Sequence, residues 1–541
     1  MKTSTKGVVS YSDVPQLSEQ DEYSESDIIK IVTTSAKVPS SLEEVVFGSK
    51  FVSFPKDLFG WSIVKPQNDS RFIYVSSSEG DDNNARYYTT EEIVDPQQPS
   101  NKVVAFRTIA SALKLQRDGY SDWILLKKGD EWQIENTLSL QSGRSISAPL
   151  VITSYGSSNK RPLIKTGIHT GIKLIKSRSF IALMGIEFYA NQRDPSSNEF
   201  VGWDNVGDPI GFRSISAANK TVDSLFFEDN VFRYFSTNII LDGDSKHKNI
   251  ILRRNQLLNS YSVNYHSQGM YAKSTSMLLE ENLFDHNGWY QQNYGALNSR
   301  SEGQATKFNH NAYLSNLFDS VIQGNTFSRS SSIGLKLASL PNTDSQINTV
   351  EAKNIVVHNN LFLEGEVGIS AGGNSDFNNG YRWKNISIID NVMLHVGNGR
   401  PTRRDLAWHI DAYDWDGGII KNNHLLYNDN SKVTNVFGIQ VYGLSREIEV
   451  LENVVDSIGG TLDKMIYLTK DETLSKVNIK NSDITLKTVK DTDRRDLNSY
   501  FKLSTQAGNG IEKLVDNAKT LSKDSWNSNY LASEINQYLM E

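Results

Sequence analysis

The chain has no cysteine, which excludes disulfides and thiolate metal sites. It also lacks a block of basic charge. Its 56 lysines and arginines face 63 aspartates and glutamates, for a net charge of −7, a balance that argues against nucleic acid as a partner. No apolar run approaches the roughly 18 residues that a membrane-spanning helix requires. The opening MKTSTKGVVSYSDVPQLSEQDEYSESD has no apolar h-region and does not read as a signal peptide. Work outside a cell would then require lysis, a virion, a dedicated export system or a leader already removed. No Gly-rich phosphate loop, no G-x-S-x-G elbow and no twelve-residue EF-hand loop occurs.

A short phrase recurs instead. Alternating apolar residues lead to Asn, one spacer and an apolar residue, as in LFFEDNVF, MLLEENLF, SVIQGNTF and IVVHNNLF. The anchors are Asn230, Asn255, Asn282, Asn325, Asn360, Asn391, Asn423 and Asn453, at intervals of 25, 27, 43, 35, 31, 32 and 30 residues. Such periods mark a repeat architecture. A second phrase between anchors (TNIILD, QGMYAK, HNAYLS, IGLKLA, VGISAG, WHIDAY, FGIQVY, KMIYLT) alternates as a half-buried strand does. Several short strands per turn, stacked turn on turn, predict an all-β parallel β-helix, a solenoid that 541 residues can build because each turn contacts only its neighbours. An asparagine tolerates left-handed backbone at a bend. Stacked asparagines hydrogen-bond as a ladder. The anchors are therefore assigned to structure, not chemistry.

Residues 1–70 read as an acidic leader or adaptor with a few packable apolar stretches. Residues 71–486 read as the coil. Phe106, Ile109, Ala110 and Leu113 fall at helical spacing after a Thr108 cap, with Gly119 as a stop; this helix would close the open first turn. Residues 487–541 change to a helical period, with Ile511, Leu514, Val515, Ala518 and Leu521 on one face. They would cover the last turn or run along the outside of the coil; an oligomer contact, such as a homotrimer, is the alternative.

YVSSSEGDDN, FRTIASAL, DWILLKKGDEW and the repeated N-x-F turns resemble the right-handed parallel β-helix superfamily, the pectate-lyase-like proteins, over about residues 71–486. The resemblance implies the fold, while its members include polysaccharide lyases, hydrolases, epimerases, phage tailspikes and non-catalytic surface proteins. HSQGMYA, FDHNGW, FNHNAYLSN and RSSSIGLKL resemble a bacterial subset of β-helix proteins with no settled activity.

Two places invite chemistry. The longest interval carries an insertion with Trp289, Tyr290, Tyr294, Arg300, Glu302, Lys307 and His310, where aromatics would stack on sugar rings and Arg300 would hold a carboxylate, or the loop would simply pack down. Aligning the second phrase on its apolar step gives an outward column: Ile240, Tyr271, Tyr313, Lys336, Ser370, Asp411, Gln440 and Tyr467. His266 and His310 precede Tyr271 and Tyr313 and should flank that ridge. A uronate lyase would take Lys336, His310 or His266 as base and Arg300 as stabiliser; a structural histidine or a surface lysine is the plain alternative for each. A glycoside hydrolase would pair Asp411 with Glu302, Asp414 or Asp416. His409, Asp411, Asp414 and Asp416 could bind Ca²⁺, though the Gly417–Gly418 turn also explains the acids, and no cofactor is expected. The expectation is a polysaccharide depolymerase acting on an acidic or host surface glycan, extracellular or virion-associated and tailspike-like, with lyase favoured over hydrolase. A glycan-binding or structural β-helix is the rival.

Overall fold

The computed structural model describes residues 30–31, 51–293, 300–339, 352–373, 383–426, 433–443, 445–456, 466–468, 495–503 and 509–541. Its long sheets number three, with twelve, eleven and ten strands. Sheet one starts at Phe72–Val75, sheet two at Glu131–Gln133 and sheet three at Ile172–Leu174. The chain visits them in rotation. Val222–Glu228 lies in sheet one, Val231–Arg233 in sheet two and Thr237–Gly243 in sheet three, and His247–Arg253 returns to sheet one. Each strand pairs in parallel with its counterpart one turn on. The molecule is a parallel β-helix.

The repeat phrase explains the rung. The middle residues of the sheet-two strands point inward and align as Phe188, Phe232, Leu257, Phe284, Phe327, Phe362, Met393 and Leu425. From Phe232 onward this is the apolar residue two places after an anchor. Rings in this column stack at 4.8–5.0 Å where Phe follows Phe, close to the rung spacing of about 4.8 Å.

The anchors form the expected ladder, with one correction. Left-handed backbone falls on the residue before each asparagine: Asp229, Arg254, Glu281, Gly324, Asn359, Asp390, Asn422 and Glu452 have φ between 52° and 64°. That bend turns the asparagine inward. Each Nδ2 donates to the next anchor's Oδ1 at 2.9–3.0 Å, from Asn230 through to Asn453. The same Oδ1 accepts a backbone N–H from the preceding rung. These buried amides are satisfied by each other and by strand carbonyls, as burial of a polar group requires.

The helix at the start of the coil is Ile109–Leu113, with Thr108 Oγ1 accepting from the Ser111 N–H. It stops well before Gly119. Phe51 to Val64 lies as a strap outside sheet one, over an apolar column of Phe226, Ile251, Leu278, Val321 and Val356. Asn249 pins the strap by bonding both the N–H and the carbonyl of Val52. Beneath it, Arg253 bridges Glu228 and Glu280 out of solvent.

The C-terminal helices Gly510–Lys519 and Ala532–Met540 bury Ile511, Leu514, Val515, Ala518, Ile535 and Leu539. Their apolar face lies on the outside of sheet two, against Leu361, Leu363, Val392 and Leu394. They run along the flank of the coil and not over its end. Lys519 Nζ reaches Asp285 at 2.7 Å, and Gln256 Nε2 bonds the carbonyls of Ala518 and Leu521. Of the roles expected for these helices, running along the outside of the coil is the one seen, and their apolar face is occupied by this chain's own second sheet. The outward column predicted above lies on sheet three.

Candidate functional site

Sheet three places the predicted column in one register line. Ile240 pairs with Tyr271, then Tyr313, Lys336, Ser370, Asp411, Gln440 and Tyr467 in turn. The register follows from the inward apolar residues on either side, Ile239 and Leu241 on one rung and Leu335 and Leu337 three rungs later, because a one-residue slip would turn these to solvent.

The centre of the column is one hydrogen-bonded line across three rungs. Lys336 Nζ donates to Ser370 Oγ at 3.0 Å, and Ser370 Oγ donates to Asp411 Oδ2 at 2.9 Å. Burial pushes the Lys336 amine below the ordinary lysine range, opposed by Asp411. Burial likewise pushes the Asp411 carboxyl up, against the pull of Lys336, Ser370 and Tyr442. Both shifts favour the neutral forms. Upstream, Tyr271 and Tyr313 meet edge to face at 5.6 Å. Downstream, Tyr413 and Tyr442 lie 4.5 Å apart and Trp408 and Phe437 6.1 Å apart.

His310 opens its strand in register with Ile333 on the next rung. Its ring meets Tyr313 edge to face at 5.6 Å. Burial holds it well below the usual imidazole range, helped by the charges of Lys336, Arg404 and His266. His266 is exposed and stacks on Phe308 at 5.0 Å, and burial and Arg300 lower it. Arg300 donates to the Asn264 carbonyl at 3.2 Å. His266, Arg300, His310, Lys336 and Asp411 therefore form a chain of neighbours along one edge and face of sheet three.

Trp289 and Tyr290 pack elsewhere. Trp289 Nε1 donates to the Arg329 carbonyl and the indole packs on His286, toward the end of sheet two. Tyr290 sits against Trp203 and Tyr261, where the fully buried Arg193 binds four backbone carbonyls of three loops. Both rings pack against loop residues and remain half-buried. Glu302 is exposed on a turn with φ 56°, away from Asp411. Tyr294 lies outside the described residues.

The four residues considered for Ca²⁺ diverge. His409 is enclosed and bonds the Phe437 carbonyl. Asp411 faces outward on sheet three, Asp414 sits at the left-handed corner, and Asp416 pairs with Arg446 on sheet one. Among the described residues no group of three His, Asp or Glu is arranged to hold a metal.

Sequence reasoning passed over Arg404, Glu366 and Gln440. Glu366 is buried and binds Arg404 Nε at 2.8 Å and the Thr402 hydroxyl. Gln440 was seen in the column but given no role. Its Nε2 is buried without a hydrogen-bond partner, as are Asp411 Oδ1 and His310 Nδ1. Tyr442 is the group acting on that carboxyl from the next rung. Three orphaned polar atoms on one outer face contrast with the satisfied asparagine ladder, and they are the best pointer to a ligand.

No protein-family model matches the sequence, and no curated protein matches it. Among solved structures, a GH136 lacto-N-biosidase from Eubacterium ramulus is 10% identical over 77% of this chain and 68% of its own, with a TM-score of 0.38. A rhamnogalacturonan lyase is 11% identical over 79% of this chain and 90% of its own, at 0.37. The A-module of a mannuronan C-5 epimerase from Azotobacter vinelandii is 11% identical over 75% of this chain and 100% of its own, at 0.40. The fold assignment stands on the registers of the three sheets.

Proposed function

We propose that the protein cleaves a polysaccharide laid along the outer face of sheet three, by lyase chemistry. The observation that carries this reading is the Lys336–Ser370–Asp411 line beside orphaned polar atoms and aromatic pairs. A lyase base must be unprotonated and must reach a proton next to a carboxyl. Lys336 suits both needs, since burial favours its neutral amine and its half-buried side chain stands on the outward column. Lys336 takes the C5 proton, the C4–oxygen bond breaks, the new double bond lies between C4 and C5, and the leaving sugar oxygen takes a proton from solvent water. The ammonium that results is stabilised through Ser370 to Asp411. Tyr271 and Tyr313 supply ring faces for neighbouring sugars. In this reading the substrate is an extracellular or host surface glycan, met by a secreted or virion-borne protein of the tailspike kind.

Hydrolysis is the second reading, and it depends on a second carboxyl within about 5–10 Å of the first. Asp242 lies five rungs from Asp411, roughly 24 Å at about 4.8 Å per rung, and pairs with Arg213. Asp414 is the better partner, because Tyr442 feels both carboxyls.

The test is incubation with acidic polysaccharides while following ultraviolet absorbance of the unsaturated product and, separately, reducing ends. Both signals rising together support the lyase. Reducing ends alone support Asp411 with Asp414. Binding without either signal leaves a non-catalytic glycan-gripping protein and removes the enzyme reading.

A further inference from the structure

We propose that Arg404 is the residue that selects an acidic glycan, by binding an anionic group of the substrate through its unused Nη1 edge. This inference rests on the sheet-three face being the glycan site, but not on cleavage there.

The loop of residues 395–406 delivers Arg404 to the edge of sheet three. Its Nε and Nη2 are committed. Nε donates to Glu366 Oε2 at 2.8 Å, and Nη2 donates to Ser332 Oγ at 2.5 Å and to Glu366. Ser332 directly precedes Ile333, the register partner of His310, and Glu366 directly precedes Val367, the partner of Ile333. The guanidinium is thus fixed beside the start of the His310 strand, three residues from the Tyr313 and Lys336 level. Nη1 makes no hydrogen bond among the described residues, and the side chain remains 22% exposed. An arginine held on two of its nitrogens presents the third with little entropy left to lose.

A second observation points to a ligand at the same place. His310 is 5% exposed, and its Nδ1 has no partner. A neutral imidazole and a fixed guanidinium edge, side by side, fit an anionic oxygen bound to arginine with a neighbouring hydroxyl at histidine. Arg300, the residue first expected in this role, is bound to the Asn264 carbonyl beside His266. It stands farther along the loop wall.

The experiment measures affinity for three polymers: a polyuronate, the same polymer with its carboxyls reduced to alcohols, and a sulfated neutral glycan. The parent should prefer one acidic polymer to the reduced one, and which it prefers identifies carboxylate or sulfate. Arg404→Gln should lose about ten- to a hundredfold on that polymer, the range of a charge-assisted hydrogen bond, with little change on the reduced one. Arg404→Lys should fall between. The double variant Arg404→Gln/Glu366→Gln avoids stranding a buried carboxylate and should show the same loss of selectivity while folded. Arg403→Gln, an equal change of charge at the adjacent exposed position, controls for the general field. Unchanged selectivity in folded Arg404→Gln, an equal loss in Arg403→Gln, or no acidic preference in the parent overturns the proposal. Selectivity lost on Arg404 substitution in a protein that cleaves nothing would uphold it while removing the lyase reading.

Discussion

Two polar columns of this coil end differently. Inside, the asparagines between sheets one and two pass each amide to the next rung, and every one finds partners. On the outer face of sheet three, the line from Lys336 through Ser370 to Asp411 stops at atoms with none. The same repeat builds both. The difference lies in what surrounds them. A closed ladder stabilises the rod, because burying an amide without partners is costly. An outward line whose polar atoms lack partners among the described residues retains hydrogen-bonding capacity for a ligand. The outer faces of sheets one and two add a third case, apolar and covered by the chain's own ends.

The largest expected effect lies on the open column. Lys336→Ala should lower turnover by about 10²- to 10⁴-fold, the worth of a general base, with a melting temperature close to the parent's. Full activity in the folded variant would remove Lys336 as the base. The activity of the parent should climb as pH rises, with its midpoint below the ordinary lysine range, because burial favours the neutral amine.

The closed column should answer in stability instead. Asn325→Ala strands the Asn282 N–H and the Leu279 carbonyl, at about 3 kcal/mol or more in urea unfolding, with activity per folded molecule retained. A loss below about 1 kcal/mol would mean that the ladder is not what holds the rungs.

Protons probe the interior separately. His247 and His409 are enclosed, and burial pushes each down from 6.5 to about 4. The unfolded chain therefore takes up these protons first. Stability should be complete above pH about 6.5 and fall as pH drops toward 4, by up to about 3 kcal/mol per histidine. His409→Leu should flatten part of this slope; equal slopes in parent and variant would contradict it.

The smallest effects should mark the edges of the comparison. Ser370→Ala should cut turnover about tenfold by breaking the relay to Asp411, for a stability change under about 1 kcal/mol. Glu302→Gln should change neither by a measurable amount.

Much of this was legible in the sequence. The apolar step in TNIILD, HNAYLS and IGLKLA set the sheet-three register, and the outward column came out residue for residue, because strand alternation admits only one face for Leu335 and Leu337. The asparagine ladder was legible for the same reason, though not the left-handed residue before each anchor. For Trp289 and Tyr290 the sequence left two readings open, because an aromatic in a loop looks alike whether it stacks on sugar or on Trp203. Arg404 was passed over because its partners Glu366 and Ser332 stand 38 and 72 residues away.

The sequence by itself determined the rod, its rung and the order of side chains along each face, since these follow from local alternation repeated at a near-constant interval. Only the tertiary structure decided which faces the described terminal segments cover. That depends on where residues 51–64, 495–503 and 509–541 come to rest, and their docking on sheets one and two is a matter of shape and charge between segments hundreds of residues apart, which no periodicity encodes.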